Sequence, residues 1–343
     1  MGVFGRIVKV NQKSTLLWWS GQYHTLNFKT KHNIGDIIDS CDNLITKNNS
    51  SYNHKSNEGL FSIMKNRFDY IQKTRDFFRN LGFIEVTTPK LKESIIDETN
   101  ISIMKTPYGY LTPSPEVEIK KLISLGFDNV FELCYAYRDD HKDNLHKKEF
   151  LILEWYRAMQ QPKDIIRDFI ELIKYLNGDS LLKYQGLNID LDNVSFIKYK
   201  DLFLNYANID IHNIDKHKIK KMLNIEGEID VLELLDAVFA FEIEKNLGLN
   251  NPIVVYDFPK EKATLARIEN GYAKRYETYI AGIELSNCYL EETDYKEIKR
   301  RFKNTDKLFF DAMKKGIPKM SGIAVGLDRL IMILENLEKV DCF

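Results

Sequence analysis

The sequence predicts an α+β fold, in which an antiparallel sheet is flanked by helices and preceded by a small β-rich extension. One observation is that helix-like and strand-like segments do not alternate regularly, as parallel βαβ units would require. Another is the pair of apolar runs FELCYAY and FLILEWY, which are separated by a long polar stretch. This pattern is typical of two antiparallel strands joined by an extended loop.

The β-rich extension is predicted from residues 1–41. Four short β-prone runs, GRIVKV, STLLWWS, YHTLNFKT and GDIIDS, are separated by polar residues or glycine. They indicate a small barrel fragment or an incomplete OB-like module. Residues 42–58 are rich in Asn, Ser and Lys, which is typical of a linker. We therefore predict that the extension and its linker end at residue 58.

Residues 59–343 are predicted to form the main domain. Apolar residues recur at spacings of three and four between residues 61 and 78, which predicts an amphipathic helix, and GFIEVTTPKL predicts a strand after it. SPEVEIKKLISLGF predicts a second helix, and SGIAVGLDRLIMIL predicts a strand that leads into a helix. About residues 161–250 are predicted to be a mostly helical insertion.

Composition narrows the class of protein. The 343 residues are 44% hydrophobic, and 49 basic against 50 acidic residues give a net charge of −1. This balance argues against a protein with an extensive basic surface for binding nucleic acid. Four cysteines without a CxxC pair indicate reduced thiols, and no apolar run is long enough to span a membrane. We expect a soluble, cytoplasmic protein.

Two arginines are candidates for binding an anion. Arg138 directly follows FELCYAY, and its planar fork of donors suits a phosphate or a carboxylate, although a surface arginine at a strand end is the commoner case. Arg329 lies in GIAVGLDRLIMIL, which is apolar except for Asp328 and Arg329. Because a charge in an apolar segment is costly unless it is satisfied, Arg329 either pairs with Asp328 or binds a ligand.

Several acidic and aromatic residues are candidates for binding cations or a base. Glu284 and Glu291 are seven apart in GIELSNCYLEETD, so a plain strand would separate them and a bulge at residues 286–288 would bring them to one face. Paired carboxylates suit Mg²⁺ held together with phosphates; solvated acids on an edge strand are the alternative. The remaining candidates lie next to apolar residues or in the polar loop, where salt bridges and core packing are the alternatives: Glu116, Glu154 and Tyr156 for an ammonium group, Phe150 for a planar base, and His146 for a ligand.

The order of these motifs resembles the class II aminoacyl-tRNA synthetases of the lysyl type. GFIEVTTPKL is similar to their motif 1, FELCYAYRDDHKDNLHKKEFLILEWY to motif 2 and GIAVGLDRLIMIL to motif 3. SPEVEIKKLI, LEWYR and ATLARI further resemble a group of stand-alone paralogues that attach (R)-β-lysine to elongation factor P. The resemblance runs from about residue 60 to the C-terminus. It implies activation of an amino acid by ATP to an adenylate, then transfer to an acceptor.

The resemblance also implies roles for individual residues. Arg138 would hold the α-phosphate of ATP and Arg329 the γ-phosphate, Phe150 would stack on adenine, and Asp140 and His146 would line the nucleotide. Mg²⁺ would be bound by Glu284 and Glu291. The pocket for a lysine-like substrate would contain Glu116, Glu154, Tyr156, Ser286 and Asn287. A homodimer formed through motif 1 is also implied.

Some positions depart from the family pattern. Asp139 and Asp140 stand where the family usually has Asn-Glu, and Ser286 stands where the β-lysine group has alanine, so lysine and β-lysine both stay open as substrates. A complete anticodon-binding domain is missing, which favours elongation factor P over tRNA as the acceptor. The alternatives are a reduced synthetase-like enzyme that acts on tRNA or a small molecule, and a catalytically degenerate paralogue that binds nucleotide or RNA.

Overall fold

The structure, a computed structural model, describes residues 3–96, 101–140, 142–302 and 306–340. The described residues divide into two compact units, one up to Ile71 and one from Gln72 onward. The domain boundary at residues 58/59 stays a prediction. Among the described residues, no helix combines the length and the apolar character needed to cross a membrane.

The first unit contains a five-stranded sheet with the order β3-β2-β1-β4-β5. Its strands are β1 (Phe4–Val10), β2 (Thr15–Trp19), β3 (Gln22–Leu26), β4 (Ile37–Asp39) and β5 (Leu44–Thr46). Ser20 and Gly21 both have a positive φ, as the tight two-residue turn between β2 and β3 requires. Four buried aliphatic side chains form its core: Ile7, Leu17, Leu26 and Ile38.

The second unit is built on a nine-stranded sheet. Its order is β14-β15-β17-β18-β19-β11-β10-β6, with β16 beside β17, and all pairs except β14/β15 and β10/β6 are antiparallel. The strands of this sheet are β6 (Ile84–Glu85), β10 (Asn129–Tyr137), β11 (Glu149–Ala158), β14 (Ser195–Lys198), β15 (Ile253–Pro259), β16 (Ile268–Glu269), β17 (Tyr272–Ile280), β18 (Ile283–Leu290) and β19 (Met320–Gly326). The smaller sheets contain β7 (Leu91–Lys92), β8 (Lys105–Thr106), β9 (Gly109–Leu111), β12 (Leu181–Tyr184) and β13 (Leu187–Asp190).

Helices accompany this sheet, and the predicted α+β fold is confirmed. The α-helices of the described residues are α1 (His54–Asn80), α2 (Glu116–Ile123), α3 (Pro162–Asn177), α4 (Tyr199–Leu202), α5 (Lys216–Leu223), α6 (Val231–Val238), α7 (Tyr295–Arg301), α8 (Lys307–Lys315) and α9 (Leu327–Leu334). Helix α3 packs on β18 and β19, and α9 packs on β11. Helices therefore support the three strands at the centre of the sheet.

The segment predicted as a mostly helical insertion also contains strands. β12 and β13 form a hairpin, and β14 joins the edge of the main sheet beside β15. In β12, Leu182 and Tyr184 are buried while Leu181 and Lys183 are exposed. This alternation has the period of a strand, but over four residues it is too short to stand out from the helical segments around it.

Candidate active site

A cavity of about 360 Å³ opens over the central strands of the second unit. All twelve residues predicted to form the site line it. They are Glu116, Arg138, Asp140, His146, Phe150, Glu154, Tyr156, Glu284, Ser286, Asn287, Glu291 and Arg329. The fold therefore brings together side chains that are widely separated along the chain.

The register of the central strands explains this arrangement. Asn287 on β18 is opposite Ala324 on β19, which in turn is opposite Glu154 on β11. The small residue on the middle strand leaves space between the two polar side chains. Gly322 serves the same purpose: a Cβ there would collide with the Tyr156 ring and would lie 2.8 Å from Oε1 of Glu291.

Glu154 is part of an acidic region of the cavity that also includes Glu116 and Glu291. Its side chain is fully buried, and it accepts hydrogen bonds from Ser114 Oγ at 2.6 Å and from Tyr156 OH at 2.8 Å. Burial, with the nearby charges of Glu116 and Glu132, raises the pKa of Glu154 to about 8. The carboxyl group therefore takes up a proton near neutral pH, and a cation beside it would favour the ionised form.

Lys120 belongs to the same region, and sequence reasoning missed it. Its Nζ lies 2.6 Å from Oε1 of Glu116 and 2.6 Å from Oε2 of Glu291, and the side chain is fully buried. Burial alone would lower the pKa of Lys120, but the two carboxylates together raise it. The available signal was the spacing of four between Glu116 and Lys120 on a short helix, which equally describes an ordinary surface pair.

Glu291 is electrostatically part of this acidic region. Burial and the charge of Glu116 raise the pKa of Glu291 to about 8, against the opposing effect of Lys120, and Glu154 adds to the rise. Like charges about 5 Å apart repel each other by about 3 kcal/mol in an effective dielectric of about 20. A buried cluster of carboxylates thus needs cations if it is to stay ionised.

The guanidinium groups of Arg138 and Arg329 line the same cavity. Arg329 donates to the backbone carbonyls of Glu284 at 2.9 Å and Leu145 at 3.1 Å, and its Nη2 lies 2.6 Å from Nε2 of His146. Arg138 lies 5.2 Å from the centre of the Phe150 ring. Among residues 3–96, 101–140, 142–302 and 306–340, no carboxylate lies within ion-pair distance of either arginine. The pair is thus suited to binding an anion.

Asp328 anchors the helix that carries Arg329. Its Oδ2 accepts a hydrogen bond from the backbone N–H of Leu151 at 2.8 Å, which ties the first turn of α9 to β11. Arg329 points instead toward the loop between β10 and β11. The two adjacent charged residues of this apolar segment thus have different roles. Asp328 fixes the helix, and Arg329 lines the cavity.

Glu284 lies at a bulge on β18. Tyr279 is opposite Glu284 and Thr278 is opposite Ser286, so Leu285 is the extra residue, one position before the predicted bulge at 286–288. Burial and the nearby Glu277 raise the pKa of Glu284 to about 7, while Arg329 lowers it. The carboxylate that most affects Glu284 is therefore Glu277 rather than Glu291.

The donor chemistry near Glu284 is compatible with a magnesium ion that shares its ligands with phosphates. Within the described residues, no group of three or more His, Cys, Asp or Glu side chains could hold a metal alone. Mg²⁺ commonly uses one or two carboxylates and takes its other ligands from water and phosphate. Glu284 is a hard oxygen donor that lines the cavity on the same side as Arg329.

Two polar atoms on β18 have no hydrogen-bond partner within the described part of the chain. They are Oγ of Ser286 and Oδ1 of Asn287, and both atoms are buried. Leaving a buried polar group unsatisfied costs about 1–3 kcal/mol. Because both residues line the cavity, a polar ligand there would satisfy them.

Comparisons with known proteins show which family this chain resembles. Residues 43–342 match the family model of the class II tRNA synthetases (D, K and N). The chain is also similar to proteins named elongation factor P–(R)-β-lysine ligase. One, from Buchnera aphidicola subsp. Acyrthosiphon pisum (strain Tuc7), is 31% identical over 83% of this chain and 95% of its own. Those from Avibacterium paragallinarum and Pectobacterium atrosepticum are 32% and 28% identical, over 81% and 80% of this chain and 93% and 91% of theirs.

Proposed function

This chain belongs to the class II tRNA synthetases of the D, K and N group, and on that premise we propose that it is an ATP-dependent ligase for a lysine-like amino acid. It activates lysine or (R)-β-lysine as an adenylate and transfers it to a lysine side chain of elongation factor P. The observation that carries the proposal is one cavity that contains both anion-binding and cation-binding groups. Arg138 and Arg329, which have no carboxylate partner within the described residues, line it together with the buried carboxylates of Glu116, Glu154 and Glu291.

The activation step needs cations and placement more than a protein nucleophile. An oxygen of the substrate carboxylate attacks the α-phosphorus of ATP, the bond to the β-phosphate oxygen breaks, and pyrophosphate leaves. Arg138 offsets the charge that develops at the α-phosphate, and Arg329 holds the γ-phosphate. Phe150 stacks on adenine, and Asp140 and His146 line the nucleotide. We thus assign the loop between β10 and β11 to ATP binding.

The acidic region recognises the ammonium group at the far end of the substrate. Glu116, Glu154 and Tyr156 are the predicted contacts, and the position of Glu291 beside Lys120 supports adding it to them. Ser286 and Asn287 lie on β18 and offer unsatisfied polar atoms to the reacting end of the amino acid. A substrate with one terminal ammonium satisfies these groups, whereas an apolar amino acid of the same length leaves buried charges without a partner.

Magnesium is proposed to bind through Glu284 together with the phosphates of ATP. When bound, the ion would neutralise part of the phosphate charge. Glu291 was predicted as a second ligand, but its ion pair with Lys120 favours a role in the ammonium pocket. Glu277, the carboxylate with the largest effect on Glu284, is the better-supported neighbour.

A homodimer is proposed from the family resemblance. Three apolar side chains in or next to the motif 1 strand support it, because each is about half exposed on the chain: Leu81, Ile84 and Leu91. Ile84 is part of β6, which forms an edge of the nine-stranded sheet. An apolar edge strand is a surface that proteins usually cover.

The acceptor is tested by supplying both candidates side by side. The purified chain is incubated with ATP and with lysine or (R)-β-lysine, in the presence of elongation factor P or of tRNA. We expect the intact mass of elongation factor P to increase by one amino acid residue, and we expect no charging of tRNA. A variant of elongation factor P in which the acceptor lysine is arginine is the control. Charging of tRNA without modification of elongation factor P would contradict the proposal.

A further inference from the structure

A buried ion triad lies behind the acidic wall of the cavity. Glu116 and Glu291 line the cavity, and Lys120, which is fully buried and does not line it, pairs with both. Helix α2 supplies Glu116 and Lys120 one turn apart, and Glu291 follows directly after β18. Lys120 therefore joins a helix and a strand end at the place where both contribute to the cavity.

The position of Lys120 is not explained by packing alone. Ile119 and Ile123, its neighbours on α2, are buried in an apolar cluster with Val130 and Met320. An apolar residue at position 120 would extend such packing without the cost of burying an ammonium group. Burial of a lysine is favourable if the carboxylates that pair with it must stay charged.

The charges of the acidic cluster indicate why its carboxylates need Lys120. Three carboxylates, Glu116, Glu154 and Glu291, influence one another in a buried space. Without a cation such a cluster takes up protons, and a protonated carboxyl group is a weak acceptor for an ammonium ion. Lys120 contacts two of the three and leaves Glu154 to its hydrogen bonds with Ser114 and Tyr156.

We propose that Lys120 is a positioning residue for the substrate ammonium: its two ion pairs fix the carboxylates of Glu116 and Glu291 in place in the cavity wall. It does not compete with the substrate, because Lys120 is fully buried and does not itself line the cavity. The inference rests on the proposed function, since it assumes an ammonium-bearing substrate in this cavity. It adds a specificity determinant that itself makes no contact with the substrate.

The test compares Lys120→Met, which keeps an unbranched chain of similar length without the charge, with Lys120→Arg, which keeps the charge. The assay is pyrophosphate exchange dependent on lysine or β-lysine, with separate titrations of amino acid and ATP. We expect Lys120→Met to raise the KM for the amino acid about tenfold or more, because charged hydrogen bonds are lost. The KM for ATP should stay within about twofold, since the arginines are untouched, and Lys120→Arg should recover part of the loss.

The pH profile separates a charge effect from a packing effect. Around the two carboxylates lie Glu154, Tyr156, Cys288 and Lys120 itself, and Glu132, which acts on Glu154, pairs with Lys90. Lys120 lowers the pKa of Glu291, so its removal makes Glu291 harder to ionise. The acidic limb of kcat/KM should therefore move to higher pH in Lys120→Met, a change that a merely loosened core would not produce.

A matched control is Lys174→Met on α3, because Lys174 also pairs with two carboxylates but lies outside the cavity. If Lys120→Met does not fold, Lys120→Gln, which keeps an N–H donor without the charge, is measured in the same way. An unchanged KM and pH profile in a folded Lys120 variant would overturn the inference while the proposed function stands. A wild-type chain without exchange for any lysine isomer would overturn the proposed function and this inference together.

Discussion

At the scale of single residues, the proposed roles of Arg138 and Arg329 can be tested most sharply. If they hold the phosphates, replacing either by alanine should lower lysine-dependent pyrophosphate exchange by about 100-fold or more, the usual effect of removing one transition-state donor. Thermal unfolding should change little in Arg138→Ala, whereas Arg329→Ala also loses hydrogen bonds to the backbone carbonyls of Glu284 and Leu145 and should unfold at a somewhat lower temperature. Arg167→Ala is a suitable control, since Arg167 is exposed on α3.

An arginine variant with near-wild-type exchange would show that its guanidinium does not act on the phosphates. Arg329→Lys adds a second comparison. It keeps the charge but cannot reproduce the three-way contact with Glu284, Leu145 and His146. We therefore expect a partial loss that lies between the wild type and Arg329→Ala.

The buried carboxyl group of Glu154 should make the stability of the folded protein depend on pH. Its pKa is raised to about 8 in the folded empty protein, so between about pH 5 and pH 8 the folded state binds more protons at this site than the unfolded state. The stability that protonated Glu154 contributes at low pH is therefore lost as the pH rises through this window. Glu154→Gln removes the titrating group. Its melting temperature should fall less than that of the wild type between these pH values, and parallel curves would contradict the assignment.

Most of the site was predictable at this scale, because cavity-lining side chains occur in recognisable motifs. Lys120 was not predictable, since its burial depends on a contact with Glu291 that no local pattern reveals. The separation of Glu284, which is next to Glu277, from Glu291, which pairs with Lys120, was also beyond the sequence. Their spacing is clear, but which other carboxylate each one faces depends on the bulge at Leu285 and on where α2 lies.

At the scale of elements, β19 must carry a residue without a side chain where it passes under the acidic region. Gly322→Ala should displace both the Tyr156 ring and the Glu291 carboxylate, because the added methyl group would lie closer to each than a van der Waals contact allows. Lysine-dependent exchange should fall by about tenfold or more, the scale expected when substrate-positioning groups move. The affinity for ATP, measured by titration, should stay close to that of the wild type. Normal exchange by a folded Gly322→Ala would show that Tyr156 does not have to keep this position.

The elements themselves were predicted unevenly. Helix α2 and the hairpin of β10 and β11 follow from amphipathic and apolar patterns of adequate length. Strand β14 was missed because its four residues pair with β15, a partner distant in sequence. Short strands are specified by the sheet that they join more than by their own residues.

At the scale of the whole molecule, the proposed homodimer is open to measurement. Light scattering after size-exclusion chromatography should give twice the mass of the 40.2 kDa chain. Ile84→Glu, which places a charge on the edge strand β6, should shift the protein toward monomer. Leu308→Glu is the matched control, because Leu308 is also an exposed apolar residue but lies on α8. A monomeric wild type would refute the dimer.

The central claim is that one cavity activates a lysine-like amino acid with ATP, and the most direct test is amino acid-dependent exchange between ATP and pyrophosphate. The screen should include the standard amino acids, both β-lysine enantiomers and norleucine, which lacks the terminal ammonium. We predict exchange with lysine or (R)-β-lysine and none with norleucine. Equal exchange with norleucine would contradict the ammonium pocket, and no exchange with any amino acid would contradict the proposed function itself.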